Sequence, residues 1–507
     1  MNFIEQHRDQ IAGVLSCYDR VLISGTVPGW GYAQGMTSFL YANGIKIFDY
    51  PKFANEKREF LRDHVENIAK ENSLEIEFIR HLKTFRKEDR IQTILETRGM
   101  HPGLVHIFSA MEPCPSYQPW HDKSSHKNYL RTDCGKCLHY YFYFIDRTFG
   151  LCFLRVPTWC PFSVQFYFNG HNWLASELTK HDIAFTLRDN AFFSIGDFSI
   201  AQKLADSFRV EKLHKALDAF VLRYCPIPSQ YGLTCRWNLS QVEYSTDIIF
   251  YKQSELSPIY QALIKTAIQS VKPENIATFL GRKLHPLYRG EMGNNFNKRI
   301  LGTRIKHTMG AISIKIYDKY GIILRIETTV NDVTEFKCYR QVLSRNGPPV
   351  MKTAAMKKNI YSLHDLSHIM GEANRRYLEL IATFDDPSHG VKNLNDVSKT
   401  VKYDHRTYKG FNFFNDDDQK LFEALARGEF TIKGFSNKSL RKQFPDKDSS
   451  TISRILKRLL VHHLIKRVRR TYNYYLTTLG KTVIITGLAI KEMIITPQLA
   501  TAQLRRC

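Results

Sequence analysis

Residues 302–332 read GTRIKHTMGAISIKIYDKYGIILRIETTVND, and the reading of this stretch decides what kind of body the chain builds. Thr303 to Val330 has the pattern of a β-meander or hairpin. Side chains alternate between the two faces of a strand. Lys315, Tyr317 and Lys319 therefore share one face of a strand, and Arg325 and Glu327 share one face of the next, with Thr329 following. A carboxylate, cations and a phenol on one sheet face can hold a divalent metal and a phosphodiester. The same residues also suit a cross-strand salt-bridge ladder on a solvated sheet.

Upstream, residues 1–110 read as an α/β region. It has an amphipathic helix from Asn2 to Ser16, a strand from Arg20 to Val27, and a charged helix from Lys52 to Glu71. The GTVPGWG run starting at Gly25 lacks the Gly-Lys-Ser/Thr of a phosphate loop and reads as a plain loop. Residues 111–136 are polar and carry Pro113, Pro115 and Pro119, as an exposed excursion would. Residues 138–170 read as three antiparallel strands, two helices occupy 199–222, and VEYSTDIIF (242–250) is strand-like. Ser362 to Phe384 reads as a long helix, and residues 385–410, rich in Asp, Asn, Ser and Gly, as a linker. The expected fold class is α+β. A mixed or antiparallel-sheet body (111–384) follows the N-terminal region, and a C-terminal winged helix-turn-helix domain occupies 411–507.

That last domain rests on residues 436–479, SNKSLRKQFPDKDSSTISRILKRLLVHHLIKRVRRTYNYYLTTL. Leu440, Ile452, Ile455, Leu456, Leu459, Leu460 and Leu464 form a helical apolar stripe. Lys438, Arg441, Arg454, Lys457 and Arg458 fall largely outside it, on the side a DNA groove would meet. Ser436 and Asn437 can cap the first helix, and Asp448, Ser449 and Ser450 the second. Leu464–Val468 and Tyr472–Thr477 read as a hairpin with Arg469 and Arg470 near its tip, placed to reach phosphates or a minor groove.

Composition points the same way. The 507 residues carry a formal net charge of +23, spread along the chain, which favours polyanionic partners. No run has the length and apolarity of a membrane span. Ten scattered cysteines without a secretion signal suit a reducing cytoplasm.

Three further groups are candidates. Glu243 and Asp247, four apart in one strand, could join Glu327 as ligands for Mg²⁺. Cys134 and Cys137 form half a zinc site, with Cys114 or His126 as further ligands, although a reduced surface pair is the favoured reading. Tyr141 and Tyr143, in the run Tyr140–Phe144, could stack the bases of RNA or single-stranded DNA if open, or pack in a sheet buried on both faces.

The runs Lys-Ile-Tyr-Asp-Lys (315–319) and Leu-Arg-Ile-Glu (324–327) resemble a hairpin of rolling-circle replication initiators. That resemblance implies strand nicking, with Tyr317 as nucleophile, Glu327 and Asp318 as metal ligands, and Lys319 and Arg325 neutralising the phosphate; Asp247, outside the matched runs, is an alternative ligand to Asp318. The chain lacks the His-hydrophobic-His metal motif of many such nickases. More broadly, KCLHYYFYFID, EYSTDIIF, the 302–332 run and the C-terminal segment resemble a bacterial family present in multiple copies per genome and often labelled MarR-like. This implies a mobile or accessory element. The expectation is a nucleic-acid-binding protein that docks on duplex DNA by its C-terminal domain, with metal-dependent nicking by the body. The alternative is a non-catalytic regulator of transcription.

Overall fold

The computed structural model describes residues 3–496 except 82, 283–290, 300–301, 345–346, 383–386, 469–470 and 493–495. In chain order its principal strands are β1 (Ile11–Thr26), β2 (Ile76–Phe78), β3 (Gly103–Asp122), β4 (Lys127–Asp146), β5 (Gly150–Pro157) and β6 (Val164–Asn169). They continue with β7 (Phe185–Arg188), β8 (Ala191–Ile195), β9 (Arg236–Phe250), β10 (Met292–Arg299), β11 (Gly302–Met309), β12 (Ile312–Lys319) and β13 (Ile323–Val330). Eleven of them form one sheet in the order β10-β11-β12-β13-β9-β1-β6-β5-β4-β3-β2, while β7 and β8 pair separately. Only β2 joins its neighbour in parallel, so the sheet is mixed and the protein is α+β.

The meander expected over 303–330 forms as β11, β12 and β13. Its register sets Lys315 opposite Glu327 and Tyr317 opposite Arg325. The next pairing sets Arg325 opposite Asp247 and Thr329 opposite Glu243. The reverse face of these strands is dry. Helix Leu363–Ala382 covers it with Leu366, Met370, Ala373, Tyr377 and Ile381. Buried Asn374 there donates to Tyr244 O (3.1 Å) and accepts from Thr328 Oγ1 (2.7 Å), which leaves its amide satisfied inside the core.

Several expectations need correction. The helix expected over 2–16 is only Phe3–Gln6, and β1 begins at Ile11. Its apolar residues at 11, 15, 17, 21 and 23 serve a strand flanked by β9 and β6. A central strand of this kind also removes the boundary drawn at 110, because residues 1–383 form one unit. Residues 111–136, expected as an exposed excursion, are largely exposed but regular. They extend β3 and β4 into a ribbon paired as far as Asp122 opposite Lys127. Pro113, Pro115 and Pro119 are tolerated at alternate positions because β3 meets β2 only over 107–109, and beyond that its outer edge is open.

Tyr141 and Tyr143 are 6% and 4% exposed, in a core on the opposite side of the sheet from Phe142 and Phe144. Buried on both faces, the run leaves no ring open for base stacking.

The second unit, residues 384–507, has its own core around Phe411, Leu421, Phe422, Leu440, Ile452, Leu456, Leu459 and Leu464. Helices Asn437–Arg441 and Ser449–Val461 are capped by Ser436 and Asp448, whose side chains accept from Ser439 N (3.3 Å) and Thr451 N (2.8 Å). A hairpin of Ile465–Arg467 and Tyr474–Leu476 follows. The described part of the expected linker is folded as well. It forms helix Pro387–Ser398, whose Val397 enters the core, and a hairpin of Val401–Tyr403 with Arg406–Tyr408.

Candidate metal centre

Three carboxylates from three strands converge on the face of the body sheet opposite Asn374. Single oxygens of Asp19, Glu243 and Glu327 all lie within 4.8 Å of one another, and this is the only such ligand group among the described residues. Each arrives by a local device. Glu327 alternates inward on β13, and Glu243 does so on β9. Asp19 is delivered by a β-bulge: Tyr18 faces Tyr244 and Val21 faces Val242, so Asp19 and Arg20 together oppose Glu243. An extra residue of this kind re-aims a side chain. Helix Gly170–Lys180 starts against the bulge, where a Cβ on Gly170 would stand 2.2 Å from Tyr18 O. Only glycine lets this helix approach closely enough to present His171.

Cations and dipoles surround the carboxylates. Lys315 Nζ bonds Glu327 (2.6 Å) and reaches Glu243 (3.4 Å), and both acids lift the ammonium pKa against the effect of burial. Burial and the neighbouring Glu327 charge, opposed by Lys315, push Glu243 up to about 7. Arg325, fully buried, donates to both oxygens of Asp247 at 2.6 Å and lies 3.4 Å from Asp19. Burial would raise Asp19, but Arg325 and His171 hold it well below the usual carboxylate range. Asn169 (2.9 Å) and Asn190 (2.5 Å) also donate to Asp19. His171 sits between Asp19 (3.4 Å) and Asp247 (3.6 Å). Burial opposes its charged form, yet Cys17 and the two aspartates outweigh that and raise it above the ordinary histidine range.

The expected site residues separate into groups. Glu327 and Glu243 belong to the centre. Asp247 does not, because its carboxylate is committed to Arg325, and Asp19 takes the place expected for it. Tyr317 is 8% exposed and donates to Glu327 Oε2 (2.9 Å), with its phenol pushed up by burial and by Glu327. A buried phenol held by a carboxylate positions that carboxylate and is not placed for attack. Asp318, one residue along β12, points away from this face and accepts from Gly321 N (2.9 Å) at the turn. Lys319 bonds Asn190, and burial with Arg325 beside it brings it down to about 8.

Cys134 and Cys137, three apart in an extended strand, face opposite ways; the first is exposed and the second buried. Cys137 lies 3.7 Å from His139 Nδ1. The Cys-x-x-Cys pair therefore does not converge on one ion.

Asp19, Asn169, His171 and Asn190 escaped the sequence reading. A lone Asp inside the apolar run VLSCYDRVLI (14–23) is the signal that could have found the first.

In the C-terminal unit Lys438, Arg441 and Arg454 are exposed, and Lys457 Nζ sits 4.4 Å over the Tyr403 ring. Arg458 is corrected. It pairs with Asp418 (2.7 and 2.9 Å), donates to Lys409 O and Gly410 O, and stacks on Phe411, so it joins the hairpin segment to the helix. Arg458→Ala should cost this unit about 2 kcal/mol, from charge-assisted bonds left unmade. A lower urea midpoint for its unfolding checks this, and an unchanged midpoint contradicts it. Arg469 and Arg470 lie outside the described residues.

No protein-family model matches this chain, and searches of curated proteins and of solved structures found no match either. Among the described residues no helix is long and apolar enough to cross a membrane.

Proposed function

We propose that the protein binds DNA through its C-terminal unit and carries in its body a divalent-cation centre for phosphodiester cleavage or strand transfer. The observation that carries this reading is the convergence of Asp19, Glu243 and Glu327 from three different strands. Three hard oxygen ligands with net negative charge suit Mg²⁺ or Mn²⁺. A cation bound there supplies charge neutralisation at a phosphoryl oxygen and acidifies water. Glu243 is the most open of the three, and its proton, held up to about pH 7 in the cation-free chain, is the one a bound cation would displace. Lys315, beside both glutamates, offsets charge on the phosphate. Tyr317 orients Glu327.

In the C-terminal unit the order helix, turn, helix, hairpin, with Lys438, Arg441 and Arg454 exposed, supports reading a winged helix that docks on duplex DNA. The nine described cysteines are free thiols, which supports the cytoplasm as its compartment. A role in a mobile or accessory element rests on the resemblance of the sequence to a multi-copy family.

A second reading is favoured by Lys315. Its ammonium already compensates Glu327 and Glu243, as a purely structural cluster in a non-catalytic regulator would require. Incubation of the full chain with supercoiled plasmid and Mn²⁺ separates the two. The expected result is nicking that Glu327→Gln abolishes and that Tyr317→Phe reduces but retains, without a protein–DNA covalent adduct. Absence of nicking by the unaltered protein supports the regulator. An adduct lost in Tyr317→Phe restores tyrosine as nucleophile.

A further inference from the structure

The hairpin Val401–Tyr403/Arg406–Tyr408 and the helix Ser449–Val461 enclose a cleft of about 550 Å³. Arg406, Lys409, Arg454, Lys457 and Arg458 line it together with Thr407, Thr451 and Ser453, and among the described residues no acid does. Arg458 is neutralised by Asp418, which leaves four cations facing the cleft. Arg406, Thr407, Lys409, Ser453 and Arg454 are exposed. Cations and hydroxyls in one concave surface are the donor set that phosphate oxygens take.

The cleft is a built feature. Asp404 and His405, at the turn, both have positive φ (50° and 57°), the backbone of a tight two-residue hairpin. The hairpin is held to the helix by Arg458, which donates to Lys409 O (2.8 Å) and Gly410 O (2.6 Å), and by the Lys457–Tyr403 contact. It is also a different element from the Ile465–Arg467/Tyr474–Leu476 hairpin that follows the helix. Asp404 at the tip is the one acid of the turn and lies outside the cleft lining.

We infer that this cleft is a backbone clamp for duplex DNA, in which Arg406 and Lys409 hold phosphates of the strand bordering the groove entered by helix Ser449–Val461. The inference rests on the DNA-docking reading above and deepens it. Phosphate contacts fix orientation without reading bases. Loss of a cation from the clamp therefore weakens all sequences equally, whereas loss of a groove-facing group alters preference.

The test uses the full chain and fluorescent duplexes of differing sequence, with affinity measured against salt concentration. In Arg406→Ala and in Lys409→Gln the slope of log K against log salt is expected to fall by about 1, the release expected for one phosphate contact. Affinity should drop several-fold for every duplex alike, and Arg406→Glu should weaken binding further. Thermal melting that matches the unaltered protein shows that the exposed variants remain folded. Slopes and affinities equal to those of the unaltered protein in all three variants overturn the clamp while leaving DNA docking intact. Failure of the unaltered chain to bind duplex even at low salt overturns the docking reading itself. Losses confined to single-stranded DNA or RNA overturn the assignment to duplex.

Discussion

Replacing Arg325 with methionine should cost the body about 3–5 kcal/mol, the range for removing one partner of a buried ion pair. Arg325 is fully buried and answers Asp247 with two 2.6 Å bonds, and its charge, with that of His171, holds Asp19 ionised. Without it two carboxylates stay in a low-dielectric sheet interior. Urea unfolding followed by circular dichroism should show the loss as a lower midpoint at pH 7. Arg325→Met with Asp247→Leu should recover about half the loss, by removing a buried charge with its partner. A single variant as stable as the parent would mean that the cluster is not the buried network described.

The second large effect concerns Lys315 and pH. Lys315 occupies the space between Glu243 and Glu327 that a divalent cation would use. Removing its charge should tighten Mn²⁺ binding at least about tenfold, equivalent to ~1.4 kcal/mol. Glu243 sets the pH dependence. Its pKa is raised from 4.5 to about 7, by burial first and by Glu327 second. The folded chain therefore keeps this proton to higher pH than the unfolded chain. This contribution to stability is complete below pH 4.5 and is lost as pH rises through 7. A bound cation favours the ionised carboxylate and reverses that trend. Binding at pH 6 should release close to one proton per ion, measured by titration calorimetry in buffers of differing ionisation enthalpy. In Glu243→Gln the release should vanish. Proton uptake on binding, or a release unaltered in Glu243→Gln, would contradict this role.

Much of the site was legible because a meander translates alternation directly into faces. Lys315, Tyr317, Arg325 and Glu327 come together as their spacing requires. The choice between Glu243 and Asp247 was not legible. Both lie on the same face of β9, and only the cross-strand register shows that Arg325 takes Asp247 and leaves Glu243 to the centre. Asp19 was hidden for two reasons. The strand around it has a start that also suits a helix, and its orientation depends on a bulge that no local pattern announces. Arg458 shows the opposite difficulty. Its position outside the apolar stripe suggested a groove contact, but Asp418 and two carbonyls, 40 to 49 residues away in sequence, claim it. The 385–410 segment looked like a linker because turn-forming residues dominate it, yet a tight hairpin uses the same residue types.

The central claim is that Asp19, Glu243 and Glu327 form one cation site. Electron paramagnetic resonance of Mn²⁺ titrated into the full chain tests it most directly. The prediction is one bound ion per chain, with affinity falling about 100-fold in Asp19→Asn and in Glu327→Gln as charged ligands are lost, while circular dichroism shows both variants folded. An unaltered chain that binds no Mn²⁺ at millimolar concentration, or variants that bind it as tightly as the parent, would contradict the claim.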